Sequence, residues 1–131
     1  MTVLEHWFEE VWNKQNAAAI DELWALEKKV HGLPGVDGRQ VETRAAFKAF
    51  HQQFCSAFPD LHVRIEDTIT EGNKIAARVY VTGTHMGPGL SKEPTGKSVG
   101  FAGICIAHVH DGRVLESWNS FDFMSMYQQL E

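Results

Sequence analysis

Hydrophobic residues recur at two different spacings along the chain, and the spacing changes near residue 60. Before that point they repeat every three to four residues, which is typical of amphipathic helices. The helical runs are 3–12, 20–26 and about 42–57. Pro59 ends the third run because proline cannot continue the hydrogen-bond pattern of a helix. The pattern therefore predicts three helices, with a brief extended piece around Val30 and a Gly/Pro-rich loop before the third.

After residue 60 the hydrophobic residues alternate with polar ones, which is typical of half-buried strands. Gly72-Asn73 and Asp111-Gly112 have the composition of tight hairpin turns. Four long strands are predicted to begin at Leu61, Ile75, Val99 and Arg113, and a short amphipathic ending follows. Asp67 interrupts the first alternation, so it is either a functional acid with a raised pKa or the site of a β-bulge, and we favour the bulge.

Helices followed by strands predict an α+β fold, with residues 1–131 forming one domain. Helices packed on one side of a curved antiparallel sheet leave a cone, whose interior is lined by alternate strand residues. The Gly/Pro-rich loops 32–40 and 86–97 are candidates for its mouth.

The charge of the chain bears on its partners and location. Its net charge is −5 and it has no basic cluster, which argues against nucleic acid or an anionic membrane as a partner. The N-terminal residues contain no continuous apolar run of the kind found in signal peptides or membrane spans. Cys55 and Cys105 fall within a helical and a strand pattern, so we expect buried thiols in a reducing, cytoplasmic compartment.

Candidate chemistry is concentrated at the end of the last strand, where Trp118, Asn119 and Asp122 follow one another closely. Asn119 could donate a hydrogen bond to a carbonyl oxygen that becomes an enolate, or it could be a structural amide that ties the strand end to a loop. Asp122 is either a catalytic base or, as we favour, the cap of a C-terminal helix.

The histidines offer further candidates. His31 and His85 could each act as acid, base or hydrogen-bond donor, although a lone histidine is more often structural. His108 and His110 point the same way on a strand and could share a metal, but the Asp-Gly turn follows at once and we do not favour a metal site.

Three segments, taken together, resemble the SnoaL-like polyketide cyclase (ester cyclase) family of the nuclear transport factor 2-like superfamily. They are AFPDLHVRIEDTITEGNKIAARVYVTGTHMG at 57–87, PTGKSVGFAG at 94–103 and DGRVLESWNSFD at 111–122. The resemblance implies a cone of helices packed on a curved sheet. It also implies a pocket with a general acid/base Asp directly after the position of Trp118, which in this chain is Asn119. An amide cannot exchange a proton near pH 7, so the cyclase chemistry does not simply carry over.

The resemblance also assigns neighbouring pocket positions. A glutamine and a histidine that assist the family's Asp correspond here to Gly103 and Cys105, so we expect a roomier and more apolar pocket. A two-residue turn places Asn119 opposite residue 104, and a bulge would shift it to 105. His31 stands where the family often has a histidine facing the cavity.

These observations predict a cofactor-independent enzyme for a small hydrophobic molecule that contains a carbonyl group. Its reaction would be isomerisation, aldol-type cyclisation or a related lyase or hydrolase step. Asn119 would stabilise the enolate and His31 or Asp122 would move the proton, while the substrate would contact Trp118, Cys105, His85 and Gly103. The alternative is a non-catalytic ligand-binding or protein-interaction module. In either case we expect a homodimer or higher homo-oligomer.

Overall fold

The computed structural model describes residues 1–90 and 92–131, and the side chains of these residues except 26–28. Ser91, in the predicted loop 86–97, and the Leu26 side chain, in the predicted second helix, lie outside the described part. Within it the α-helices are α1 (Val3–Trp7), α2 (Ala18–Leu23), α3 (Arg44–Ala57) and α4 (Phe123–Gln129), and a π-helical segment, Phe8–Asn13, continues α1.

Side-chain caps fix where these helices begin. The Thr2 hydroxyl accepts the Glu5 backbone N–H, and the Glu5 carboxylate accepts the Thr2 N–H in return, which forms a capping box. The Thr43 hydroxyl accepts the Ala46 N–H at the start of α3 in the same way. Such a cap stabilises a helix by about 1 kcal/mol because it satisfies an N–H that has no helical partner.

The described residues form a five-stranded sheet in the order β1-β5-β4-β3-β2. The strands are β1 (Trp24–His31), β2 (His62–Glu71), β3 (Lys74–Thr84), β4 (Ser98–His110) and β5 (Arg113–Phe121). Consecutive strands from β2 to β5 pair antiparallel, as predicted, and the hairpin turns lie at Gly72-Asn73 and Asp111-Gly112. Asp111 and Gly112 both have positive φ, as a tight hairpin turn requires.

The strand β1 corrects the prediction for residues 20–31. The second helix ends at Leu23 rather than continuing to residue 26, and the extended piece predicted around Val30 is a strand that begins at Trp24. It pairs parallel with β5, so the sheet is mixed and not purely antiparallel. Pairing with the open edge of β5 supplies long-range backbone hydrogen bonds, which outweigh the local helical preference of this segment.

A β-bulge lies in β2, where Ile65 pairs with Val79 but Asp67 pairs with Arg78. The bulge predicted near Asp67 is therefore confirmed, and Glu66 is the extra residue. The simple alternation of the sequence places Ile69 on the buried face with Leu61, Val63 and Ile65. This interpretation is wrong, because one extra residue moves every later side chain to the opposite face. Ile69 is accordingly 68% exposed.

The core lies between the inner face of the sheet and the helices. It contains an aromatic cluster, in which Trp7, Trp24 and the α3 residue Phe47 pack with ring centroids 5.1 to 6.3 Å apart. Phe50 and Phe54 follow on the same face of α3 and are also buried, as the sequence pattern predicted. Among the described residues, no helix is both long and apolar enough to cross a membrane.

Candidate active site

A cavity of about 60 Å³ lies between the inner face of the sheet and the helices. Half of its lining residues are aromatic, and none of the described lining residues is a carboxylate or a histidine. The lining comprises Leu4, Trp7, Phe8, Trp12, Leu33, Phe47, Phe50, Phe54, Leu61, Val63, Val81, Phe101, Cys105, Val114, Ser117, Asn119, Phe121 and Phe123. A cavity of about 150 Å³ holds one benzene molecule, so a ring-containing ligand requires some of these side chains to move.

Asn119 lies in the cavity wall on β5, and its amide is already hydrogen-bonded. The Nδ2 atom donates to the His31 carbonyl at 3.0 Å and to the Ser117 Oγ at 3.4 Å. An amide nitrogen has two hydrogens, so both have acceptors, and the carbonyl Oδ1 is the atom left for a ligand. The contact with His31 ties β5 to the end of β1, as expected if Asn119 is a structural amide. Its predicted role as a donor to an enolate stays a prediction.

Cys105 and Gly103 lie on the neighbouring strand β4. Cys105 pairs with Asn119, as the bulged form of the predicted hairpin requires, and its side chain lines the cavity. Gly103 pairs with Phe121, and a Cβ at Gly103 would lie only 2.2 Å from the Phe121 ring. The pocket is apolar as expected, but the expectation of extra room at Gly103 is wrong because the Phe121 ring fills that space.

His31 and Trp118 lie on the outer face of the sheet. Successive residues of a strand point to opposite faces, so Trp118 points away from the cavity when Asn119 points into it. His31 pairs with Trp118 in the parallel register and shares its face. The His31 Nε2 lies 2.7 Å from the Glu116 carboxylate, and its ring stacks on Trp118 with a centroid distance of 5.6 Å. The expectations that His31 faces the cavity and that Trp118 shapes its wall are therefore wrong.

Asp122 is exposed and caps α4. Its Oδ1 accepts the Ser125 backbone N–H at 3.0 Å, which confirms the predicted cap. Asp122 does not line the cavity, so the structure does not bring it together with Asn119. A role as the catalytic base stays a prediction.

His85 is fully buried and lies apart from the cavity lining. Its Nδ1 accepts the Thr95 backbone N–H at 3.2 Å, and its ring packs against Phe58. Burial lowers the pKa of His85, and the charge of Lys92 lowers it further. None of the described residues of the loop 86–97 lines the cavity, whereas Leu33 of the loop 32–40 does. Of the two loops, the described residues therefore place only 32–40 at the cavity wall.

In the part of the chain that the structure describes, the remaining titratable groups do not form a second site. His108 pairs with Glu116 on the outer face, and His110 contacts Asp111 at the turn. Among the described residues, no group of three or more His, Cys, Asp or Glu could hold a metal ion. Cys55 and Cys105 are not joined by a disulfide, and burial raises the pKa of Cys55 to about 11.

Ser117 is a cavity residue that sequence reasoning missed. It is 5% exposed and lies on the same face of β5 as Asn119, two residues earlier. The alternation of a strand would have placed it in the cavity once Asn119 had been assigned to the inner face.

The fold and the site define an α+β domain with helices packed on a mixed sheet and an apolar cavity between them. The sequence matches the model of the SnoaL-like polyketide cyclase family over residues 2–130, and the chain therefore belongs to this family. No curated protein sequence matches it.

Solved structures show the same relationship. A presumed polyketide cyclase from Bacillus cereus is 29% identical, with a TM-score of 0.81 over 98% of this chain and 77% of that one. IdmH, a presumed polyketide cyclase from Streptomyces antibioticus, is 26% identical, with a TM-score of 0.82 over 98% and 95%. AclR from Streptomyces galilaeus, a presumed hydroxylase, is 24% identical with a TM-score of 0.76 over 92% and 73%, and shares the fold. The fold alone therefore does not determine the reaction.

Proposed function

We propose that this chain binds a small hydrophobic molecule that contains a ring and a carbonyl group. Any ring closure or isomerisation of this molecule is promoted by holding it in the reactive orientation. The observation that carries the proposal is the cavity wall, in which the described residues include no carboxylate and no histidine. By the resemblance described above, Asn119 corresponds to the position of the family's acid/base Asp. Aromatic walls can stack on a flat ligand, and correct orientation alone can accelerate an intramolecular reaction strongly. The proposal requires no cofactor.

Family membership supports a second candidate, which is cyclisation or isomerisation by proton transfer from a protein side chain. In this case His31 or Asp122 would have to reach the substrate, although both lie outside the cavity lining. The first candidate agrees better with the positions of these residues.

The test compares the wild type with Asn119→Asp, using the aldol closure of 2,6-heptanedione to a cyclic enone as the reaction. The wild type should bind 1-tetralone saturably but close the diketone at a rate that shows no titration of a protein group. Asn119→Asp should gain about 100-fold in rate with a pH dependence, since a positioned base contributes on the order of 10²–10⁴. Ser120→Asp is the matched control because Ser120 is exposed on the other face of β5. Wild-type turnover that follows one titrating group would favour the second candidate.

We also propose that the chain self-associates through the outer face of the sheet. Ile69, Ala76, Ile106 and Trp118 pair successively across four strands and form one row on this face. Ile106 is 39% exposed and Trp118 38% exposed. A continuous row of exposed apolar side chains is typical of a protein-protein interface.

A further inference from the structure

Ser117 carries a hydroxyl group that is buried at the cavity surface. The side chain lies on the inner face of β5, and the residue is 5% exposed. A hydroxyl group has one hydrogen to donate and two lone pairs that accept. The hydrogen bonds of Ser117 therefore determine what this part of the wall offers to a ligand.

The Asn119 amide sets the direction of the Ser117 hydroxyl. The amide is held by the His31 carbonyl, and its second N–H points to the Ser117 Oγ. Because Oγ accepts from the amide, its own hydrogen must point elsewhere. Within the described part of the chain no acceptor for this hydrogen is found. The hydroxyl already has the Asn119 amide as one partner, and its own hydrogen is left available to an acceptor on a ligand.

We infer that the Ser117 hydroxyl is the donor that recognises a carbonyl oxygen of the ligand, with Asn119 as its positioning residue. The inference rests on the proposed function, since it assigns the polar contact of the same cavity. An aspartate at position 119 would accept the Ser117 hydrogen, whereas Asn119 directs it away from itself. The replacement of the family's Asp thus exchanges a proton-transfer group for a fixed hydrogen-bond donor, which selects ketones over hydrocarbons of the same shape.

The test uses pairs of ligands that differ only in the carbonyl oxygen, namely 1-tetralone with tetralin and acetophenone with ethylbenzene. Calorimetry should show that the wild type binds each ketone about 10-fold more tightly than its hydrocarbon, as one net hydrogen bond allows. Ser117→Ala should bring the ratio of the hydrocarbon and ketone dissociation constants close to one. Ser117→Thr, which keeps the hydroxyl, should restore the preference for the ketone. Val114→Ala is the control, because Val114 lines the cavity without a polar group and should change both affinities equally.

The outcomes separate the two proposals. Equal affinity of the wild type for ketone and hydrocarbon would overturn the role of Ser117 while leaving the cavity as a binding site. A ratio that survives in folded Ser117→Ala would overturn it too. Failure of all four compounds to bind saturably would overturn the proposed function and the role of Ser117 together.

Discussion

His85 is the residue at which a change of pH should affect the stability of the fold. The side chain is fully buried, its Nδ1 accepts from Thr95, and its Nε2 has no partner in the described part of the chain. Burial lowers its pKa in the folded state below the ordinary value of 6.5. The unfolded chain therefore binds a proton more readily, and the free energy of unfolding should fall as the pH falls below about 6.5.

Urea unfolding between pH 5 and 8 checks this prediction. His85→Leu should be less stable at every pH because the Thr95 N–H loses its acceptor, but its stability should depend less on pH than that of the wild type. Burial also lowers the pKa of His51. His51 therefore accounts for part of the pH dependence of the free energy of unfolding that remains in His85→Leu. A slope in His85→Leu as steep as that of the wild type would contradict the prediction.

Gly32 is a single residue that the pairing of β1 with β5 requires. Its φ is +78°, and a Cβ there would lie 2.0 Å from the Asn119 carbonyl oxygen. Gly38 is a matched control, since its φ is +84° but a Cβ would meet nothing within 4 Å. Gly38→Ala should cost about 1–2 kcal/mol from backbone strain alone, and Gly32→Ala about 1–3 kcal/mol more from the clash. Equal urea midpoints for Gly32→Ala and Gly38→Ala would contradict the prediction, because they would mean that β1 can move away from Asn119 without loss of stability.

Among the structural elements, the loop 32–40 should control access to the cavity. It carries Leu33, which is buried in the cavity wall, and its ends are held by the hydrogen bond from the Val41 N–H to the Leu33 carbonyl. A cavity of about 60 Å³ is too small for a ring, so a ligand must displace part of the wall. A loop held by few backbone bonds opens at a lower free energy than a strand inside the sheet.

The reactivity of Cys105 reports this opening, because its side chain lines the cavity. In a Cys55→Ser background, Leu33→Ala should raise the rate at which a small thiol reagent modifies Cys105 by about 10-fold. Ile75→Ala is the control, since Ile75 is buried on β3 but does not line the cavity. Equal rates in the two variants would mean that ligands reach the cavity by another path.

The elements also show how far the sequence could predict this molecule. The helix α3 and the β4-β5 hairpin follow from local spacing and turn residues, and both were predicted. The strand β1 was not predicted at its full length because its partner β5 lies some 90 residues later, and no local pattern encodes that pairing. The same pairing register makes His31 face outward. The position of His31 could therefore not be predicted without first predicting the pairing of β1 with β5. Ser117 could have been found, because the alternation of β5 alone places it beside Asn119.

For the whole molecule, the exposed face of the sheet predicts a homodimer. The row Ile69, Ala76, Ile106 and Trp118 runs across four strands of this face. Stable interfaces bury roughly 800 Å² on each partner and concentrate apolar residues at their centre. A lysine at the centre of such an interface would have to be buried without a partner, which is strongly unfavourable.

Ile106→Lys should therefore convert a dimer into a monomer, as measured by light scattering over a range of protein concentrations. The melting temperature of the wild type should rise with concentration, whereas that of Ile106→Lys should not. Met124→Lys is the matched control because Met124 is 74% exposed on α4, away from the row, and this variant should remain dimeric. If the wild type is monomeric at every concentration, the prediction of a homodimer is wrong. A dimer that persists in Ile106→Lys would place the interface on another surface, and the apolar row would then have to be covered by a different partner.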